Sequence, residues 1–252
     1  MDGKASQGAS EFERARRETV RYHEELYSTT VLGQPGTWLA GPHRLLRDAL
    51  AYVPSSRPFI AYDLGAGVGR HTIPMMQQLA AGSEVYAVDL LPSALDLLQR
   101  SIPPGLRTVL HVRQADLDHF VFETAADLVL AFSAIEHLPG TGAIRGALER
   151  IRATVRPGGV VAIGIVADRF EIDSSGRQRP ALLESAISAA AAARLLSSAF
   201  SDFDVVYRNA RSADVREDRK GERYTLTSTL LTWLATRPAS TGREPELDRQ
   251  DR

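Results

Sequence analysis

Phe-Ile-Ala-Tyr-Asp-Leu-Gly-Ala-Gly-Val-Gly-Arg, residues 59–70, is a short run of strand-forming residues that stops at three glycines. Ile60, Tyr62 and Leu64 alternate with smaller or polar neighbours, the pattern of a buried strand ending in a tight turn. Ile73, Met76 and Leu79 follow at helical spacing, so the turn joins a strand to a helix and leaves backbone N–H groups bare at the helix start. Such a junction suits a nucleotide-like ligand.

Spacing narrows the ligand. A dinucleotide site uses G-x-G-x-x-G, whose third glycine lets the helix pack on the strand behind a pyrophosphate. Here Gly65, Gly67 and Gly69 read G-x-G-x-G, and Asp63 stands two residues before the first of them. That carboxylate suits a cationic amino acid better than a pyrophosphate. The stretch resembles motif I of the class I S-adenosylmethionine-dependent methyltransferases, whose cofactor carries an ammonium and a sulfonium and no phosphate. A glycine triplet alone is weak, because many turns need glycine for positive φ. The strand ends downstream carry the rest.

From residue 58 apolar strands alternate with amphipathic helices, which means a parallel sheet covered on both faces. Strands are expected at Glu84 to Asp89, about Thr108 to Arg113, Asp127 to Phe132 and Val160 to Val166. A helix enters through Pro92, and Ile144, Ala147, Leu148 and Ile151 mark another. After an Ala/Leu-rich helix over Ala181 to Phe200, strands at Asp204 to Arg208 and Tyr224 to Leu234 flank a charged excursion, Arg211 to Arg223, with no helix between. They should pair antiparallel. The resemblance implies an α/β, doubly wound, mostly parallel seven-stranded Rossmann-like sheet with an antiparallel terminal hairpin. Three segments are expected: a disordered start and helical lid over 1–57, the cofactor-binding core over 58–238, and a disordered tail over 239–252.

Ligands in such sheets bind beyond the carboxyl ends of the strands. Asp89 ends the second strand about twenty residues past the glycines, where a carboxylate takes the ribose hydroxyls. Leu90 could pack on the adenine ring, and capping of the next helix is the alternative role for Asp89. The resemblance places Asp116, with Leu117 beside it, at the adenine amino group; a turn aspartate is the alternative. Ser133-Ala134-Ile135-Glu136-His137-Leu138 resembles motif IV, whose first residues, here Phe132 and Ser133, line the methionine moiety. The cofactor set is then Asp63, Gly65, Ala66, Gly67, Gly69, Asp89, Leu90, Asp116, Leu117, Phe132 and Ser133.

Methyl transfer is an in-line displacement, so alignment and desolvation are the main demands and a base is needed only for a protonated nucleophile. His137 and Glu136 are the catalytic candidates nearest the methyl site, with helix capping as the alternative for the pair. Before the core, Ser10 and Glu13 read as a capping box opening a helix, after nine residues expected to be disordered. Tyr22, His23 and Trp38 in this N-terminal part are candidates for the substrate chamber, covering the substrate without building the cofactor cradle; plain packing is the alternative. A weaker likeness, to tellurite-resistance methyltransferases, adds Arg216 and Arg223 as substrate candidates. It departs from that pattern at Val215 and His71, where a histidine and an asparagine are expected.

The chain has 252 residues and a net charge of -1, with Lys+Arg 30 against Asp+Glu 31. One sizeable core and no basic field for free nucleic acid follow. With no cysteine there is no disulfide or thiolate site, and no metal is expected. The polar first residues lack a signal peptide's apolar core, and the Ala181 to Phe200 run is broken by Glu184 and Arg194, so a cytoplasmic protein without a membrane span is expected. Small-molecule methylation with S-adenosylmethionine, released as S-adenosylhomocysteine, leads. A chalcogen oxyanion acceptor, a non-catalytic binder of the cofactor and a nicotinamide oxidoreductase compete, and homo-oligomerisation stays open.

Overall fold

The computed structural model describes residues 2–53, 56–181, 183–219 and 221–239. Helix α1, Asp2–Thr29, begins well before the expected cap at Ser10, because Lys4, Ala5, Gln7 and Ala9 are good helix formers that let the helix propagate backward. A single 3-10 turn, Trp38–Ala40, then leads to α2, Arg44–Leu50. The parallel core is β1 (Ile60–Leu64), α3 (Thr72–Gln78), β2 (Glu84–Asp89), α4 (Pro92–Arg100), β3 (Val109–Gln114), β4 (Ala126–Phe132), α5 (Thr141–Thr154) and β5 (Val155–Asp173). The remainder is β6 (Gln178–Pro180), α6 (Ala189–Ala199), β7 (Asp204–Arg219) and β8 (Glu222–Thr236).

Strand order is β3-β2-β1-β4-β5-β8-β7, with β8 antiparallel to both β5 and β7. These seven strands are the expected sheet; the short β6, not foreseen, adds an eighth on the side of β5. Alternation on β4 divides the core. Leu128 and Leu130 face α2 and α3 through Leu45, Leu46, Ala49, Met75 and Met76, and Val129 and Ala131 face α5 and α6 through Leu148, Ile151, Ala192 and Leu196. At the amino edge, buried Asp127 accepts hydrogen bonds from Ile60 N at 2.9 Å, Arg57 Nη2 at 2.9 Å and Arg156 Nη1 at 2.9 Å, tying β1, β4 and β5 together.

Two expectations are corrected. The charged excursion is strand: β7 and β8 pair without interruption from Tyr207↔Leu234 to Arg219↔Glu222, and β5 runs on beside them, Phe170–Asp173 pairing with Tyr224–Thr227. Together they form an antiparallel ribbon that rises past the carboxyl edge of the parallel sheet. Charges at Arg211, Asp214 and Arg216 hid a period-two pattern of Ala213 and Val215. The second correction is α6, which starts at Ala189 and not near Ala181. Ser188 Oγ accepts from Ala191 N at 3.2 Å and Asp168 Oδ1 from Ala189 N at 3.2 Å, so two caps fix the start of the helix. The tail expected beyond Pro238 falls on residues 240–252, outside the described residues. Among the described residues no helix is long and apolar enough to cross a membrane.

Candidate active site

The glycine turn is built by backbone geometry that only glycine takes easily. Gly65, Gly67 and Gly69 have φ of 76°, 51° and 91°. A Cβ on Gly65 would lie 2.5 Å from Ala134 Cβ, and one on Gly69 would lie 2.3 Å from Leu98 Cδ1. Those two glycines therefore let neighbouring elements close on the turn. Gly69 does not line the cavity, whereas Gly65, Ala66 and Gly67 do. Asp89 sits opposite, its Oδ2 accepting from Gly67 N at 2.8 Å and its Oδ1 from Leu91 N at 2.9 Å, so one carboxylate links the turn to the end of β2. Burial holds its pKa above the ordinary carboxylate value, against the pull of those amides. Asp63 lies beneath the turn, 1% exposed; Thr72 Oγ1 donates to its Oδ2 at 2.6 Å, and its Oδ1 has no partner among the described residues. Burial pushes its pKa up to about 7.

Leu90, Ala115, Asp116 and Leu117 line the same cavity at the end expected for adenine. Asp116 is engaged there by Arg16 of α1, and its Oδ1 also accepts from Asp118 N at 3.0 Å. Burial would raise its pKa, but Arg16 and the Asp118 amide hold it below the ordinary value.

At the end of β4, Phe132 and Ser133 line the cavity. Gly164 on β5 makes room for the Phe132 ring, since a Cβ there would lie 2.4 Å from it. Ser133 has φ 54°, a left-handed conformation rare outside glycine. Buried Glu136 braces it: Ser133 Oγ donates to Glu136 Oε1 at 3.0 Å, and Val166 N donates to the same oxygen at 3.1 Å. Glu136 does not line the cavity, so the geometry gives it this bracing place and no access to a substrate. His137 does line it. It lies in a 3-10 turn, Ile135–His137, and its ring is not used as a helix cap. Its Nδ1 is 3.2 Å from Glu184 Oε2, on the irregular segment before α6. Burial would raise the Glu184 pKa, yet His137 and Thr19 bring it down to about 2, so it is a carboxylate facing the imidazole.

The lid closes the site with rings. Tyr22, His23, Tyr27 and Trp38 all line the cavity. His23 stands edge-on to Tyr22, Trp38 and His137, with centroids 5.2, 6.4 and 6.1 Å away. Burial lowers the His23 pKa to about 4, so its ring is neutral at pH 7. Tyr27 reaches the cradle itself: a Cβ on Gly67 would stand 2.8 Å from its hydroxyl. With Arg16 on Asp116, this corrects the expectation that the lid stays clear of the cradle, since α1 also touches the residues expected to hold the cofactor. Arg70 donates to Gly41 O at 2.6 Å and lies 5.7 Å from the centroids of both Trp38 and Phe132. Arg216 and Arg223 are exposed and do not line the cavity; alternation along β7 turns Val215 and Arg211 to it instead.

His71 is buried beside the turn, and its Nε2 accepts from His43 N at 3.2 Å, which requires a neutral ring. Burial, then the nearby Arg70 and His43, lower its pKa to about 3. The unfolded ring titrates near 6.5, so the stability tied to the neutral native ring is complete above that value and is lost as pH falls toward 3. His71→Asn keeps an acceptor but no titration. The advantage of wild type over this variant should therefore shrink by about 2 kcal/mol between about pH 7 and pH 4.5, read from paired urea melts; a constant difference would refute it.

Arg16, Tyr27, Glu184, Arg169 and Arg211 reach the cavity without having been singled out as site residues. Tyr27 recurs at helical spacing after Val20 and His23, and Glu184 interrupts an apolar run, two faint signals; nothing local marks Arg169.

The residues fit S-adenosylmethionine. Gly67 opens a cradle that any side chain would fill, Asp89 closes β2 with a carboxylate where the ribose is expected, and Asp63 keeps an oxygen without a partner beneath the turn. Comparison with known proteins agrees. A family described as "Methyltransferase domain" matches residues 62–161. A trans-aconitate 2-methyltransferase from Methylobacterium radiotolerans is 26% identical over 212 residues, 81% of this chain and 76% of that protein. Among solved structures, TehB from Haemophilus influenzae superposes with a TM-score of 0.57 at 15% identity, covering 77% of this chain and 62% of that one. The N-methyltransferase NodS from Bradyrhizobium japonicum, in complex with S-adenosylhomocysteine, has a TM-score of 0.51 at 16% identity, covering 77% and 84%. The glycine turn, the carboxylate closing β2 and the motif at the end of β4 share one cavity, and all three fall within the methyltransferase domain matched over residues 62–161.

Proposed function

We propose that the protein methylates a small-molecule acceptor enclosed between the N-terminal helix and the β5–β8–β7 ribbon. The observation that carries this reading is one cavity of about 570 Å³ that runs from the glycine turn, past His137, to Arg211, Leu226 and Leu230 of the ribbon. That volume is within the range of small-molecule sites, and it is roofed by α1, which favours a compact acceptor over a polymer. The cofactor, when bound, supplies an electrophilic methyl group on a sulfonium.

The chain's own residues align and desolvate the acceptor. Phe132 and Ser133 bound the site where the methyl group is expected, and the Tyr22, His23, Tyr27 and Trp38 rings exclude water above it. Glu184 Oε2 faces His137 Nδ1 at 3.2 Å, a carboxylate that favours a proton on that nitrogen and leaves Nε2 to receive one when the acceptor arrives protonated. In that case His137 would take the acceptor's proton as the acceptor is methylated.

The relative's trans-aconitate makes small organic acids the first acceptors to try. The test is calorimetric titration with S-adenosylhomocysteine and with NAD, followed by assay of S-adenosylhomocysteine release against organic acids, amines and phenols. Micromolar S-adenosylhomocysteine binding, no NAD binding and turnover of one acceptor class are expected. Binding of NAD in its place, or binding of the cofactor with no turnover of any acceptor class, would overturn the reading.

A further inference from the structure

We propose that the acceptor carries a carboxylate, seated on Arg169 of the ribbon wall with Arg211 supporting it. This rests on the methyl-transfer reading of the same cavity and specifies its substrate class.

The first observation is a β-bulge. Val166 lines the cavity, and undisturbed alternation would next present residues 168 and 170. The β5–β8 register instead shifts between Ala167 and Phe170, and the residues that reach the cavity are Arg169 and Glu171. One extra residue has changed which face of the strand looks inward. The bulge is built in: Asp168 takes a left-handed φ of 50°, donates its N–H to Ile187 O at 3.1 Å and caps α6 through its side chain. Strain of this kind persists where surrounding contacts impose it, and its effect here is to point an arginine into the chamber.

The second observation is the charge pairing around the cavity. Arg16 pairs with Asp116, Arg21 with Glu18, His137 with Glu184, and Glu171 with Arg179, while Asp89 holds the Gly67 and Leu91 amides. Each carboxylate lining the inner cavity thus has a partner. The Arg169 and Arg211 guanidinium groups line it with no hydrogen bond or ion pair to any described residue, and Arg169 Nη2 is buried without a partner. A buried guanidinium nitrogen such as Arg169 Nη2 is costly without an acceptor, and a carboxylate is its best complement, because two parallel N–H···O bonds match the fork.

The third observation is what surrounds the two arginines. Val166, Leu183, Val215, Leu226 and Leu230 line the same wall, and apolar cover of that kind suits the carbon skeleton of an organic acid better than a bare inorganic oxyanion.

The test uses the full chain saturated with S-adenosylhomocysteine, into which succinate, citrate, succinamide and tellurite are titrated in turn. At least one of the two carboxylates should bind, and succinamide should not. Arg169→Gln should weaken that binding at least tenfold, Arg211→Gln by less, and both should leave S-adenosylhomocysteine affinity within about twofold of wild type. Because neither arginine side chain bonds to the described protein, both variants should melt like wild type. Equal binding of succinamide, unchanged carboxylate binding in Arg169→Gln, or no carboxylate binding up to about 10 mM would overturn the proposal. So would tellurite binding in place of the carboxylates, which would assign the arginines to an inorganic oxyanion. Failure of wild type to bind S-adenosylhomocysteine at the first step would instead refute the methyl-transfer reading, and the proposal with it.

Discussion

Gly67→Val is expected to abolish S-adenosylhomocysteine binding, weakening it by at least about 100-fold, or about 3 kcal/mol. Two effects combine at this residue. Its φ of 51° is left-handed, a conformation that a β-branched side chain resists at a cost of about 1–3 kcal/mol. Its side chain would also enter the cradle between the turn and Tyr27, whose hydroxyl lies 2.8 Å from the added Cβ. Any backbone shift that relieved this would disturb the Gly67 N–H bond to Asp89, and so the carboxylate expected at the ribose. Gly158→Ala is the control. Gly158 also has a positive φ, 78°, but a Cβ there meets nothing within 4 Å and the residue is remote from the cavity. It should cost comparable stability and leave binding intact. Normal binding by a folded Gly67→Val protein would remove the turn from the site.

The core was legible because its signals are local. Leu64 to Gly69 compresses a strand end, a tight turn and a helix start into six residues, and β2 falls at Glu84 to Asp89 as the pattern predicts. Asp89, Phe132, Ser133 and His137 were findable because open parallel sheets gather ligands at the ends of strands, so position in sequence stands for position in space. The ribbon was not legible for the converse reason. Its alternation is carried by small residues between charges, and whether Arg169 faces in or out depends on a bulge set by Asp168, Ile187 and the start of α6. Arg216 shows the same limit: one residue along the strand separates the exposed arginine from Val215, which lines the cavity. The Arg16 link to Asp116 joins residues a hundred positions apart, a partnership no spacing rule reaches. Glu136 and His137, adjacent in sequence, end on opposite sides of the cavity wall, one bracing a strained serine and the other facing the chamber.

Removal of residues 1–40 is expected to abolish methyl transfer and to weaken S-adenosylhomocysteine binding by more than about tenfold. Loss of transfer follows from the ring cluster, because without Tyr22, His23, Tyr27 and Trp38 water reaches the methyl site and nothing aligns the acceptor. Loss of affinity follows from two contacts that α1 makes on the cofactor side, Arg16 on Asp116 and Tyr27 over Gly67. The deletion also removes Leu39, 1% exposed, from its cluster with Val68, Leu91 and Ala94, so the truncated chain must first show a cooperative melt. Point changes separate the two functions in the intact fold. Tyr27→Ala should act mainly on cofactor affinity, since its hydroxyl stands at the cradle, and His23→Ala mainly on turnover, since its ring faces His137. Calorimetry with S-adenosylhomocysteine reads the first, and single-turnover methyl transfer with saturating cofactor reads the second. A folded truncation that binds the cofactor as tightly as wild type would mean that α1 lies over the cradle without holding its occupant. One that also kept full activity would leave the ribbon wall, with Arg169 and Arg211, as the element that positions the acceptor.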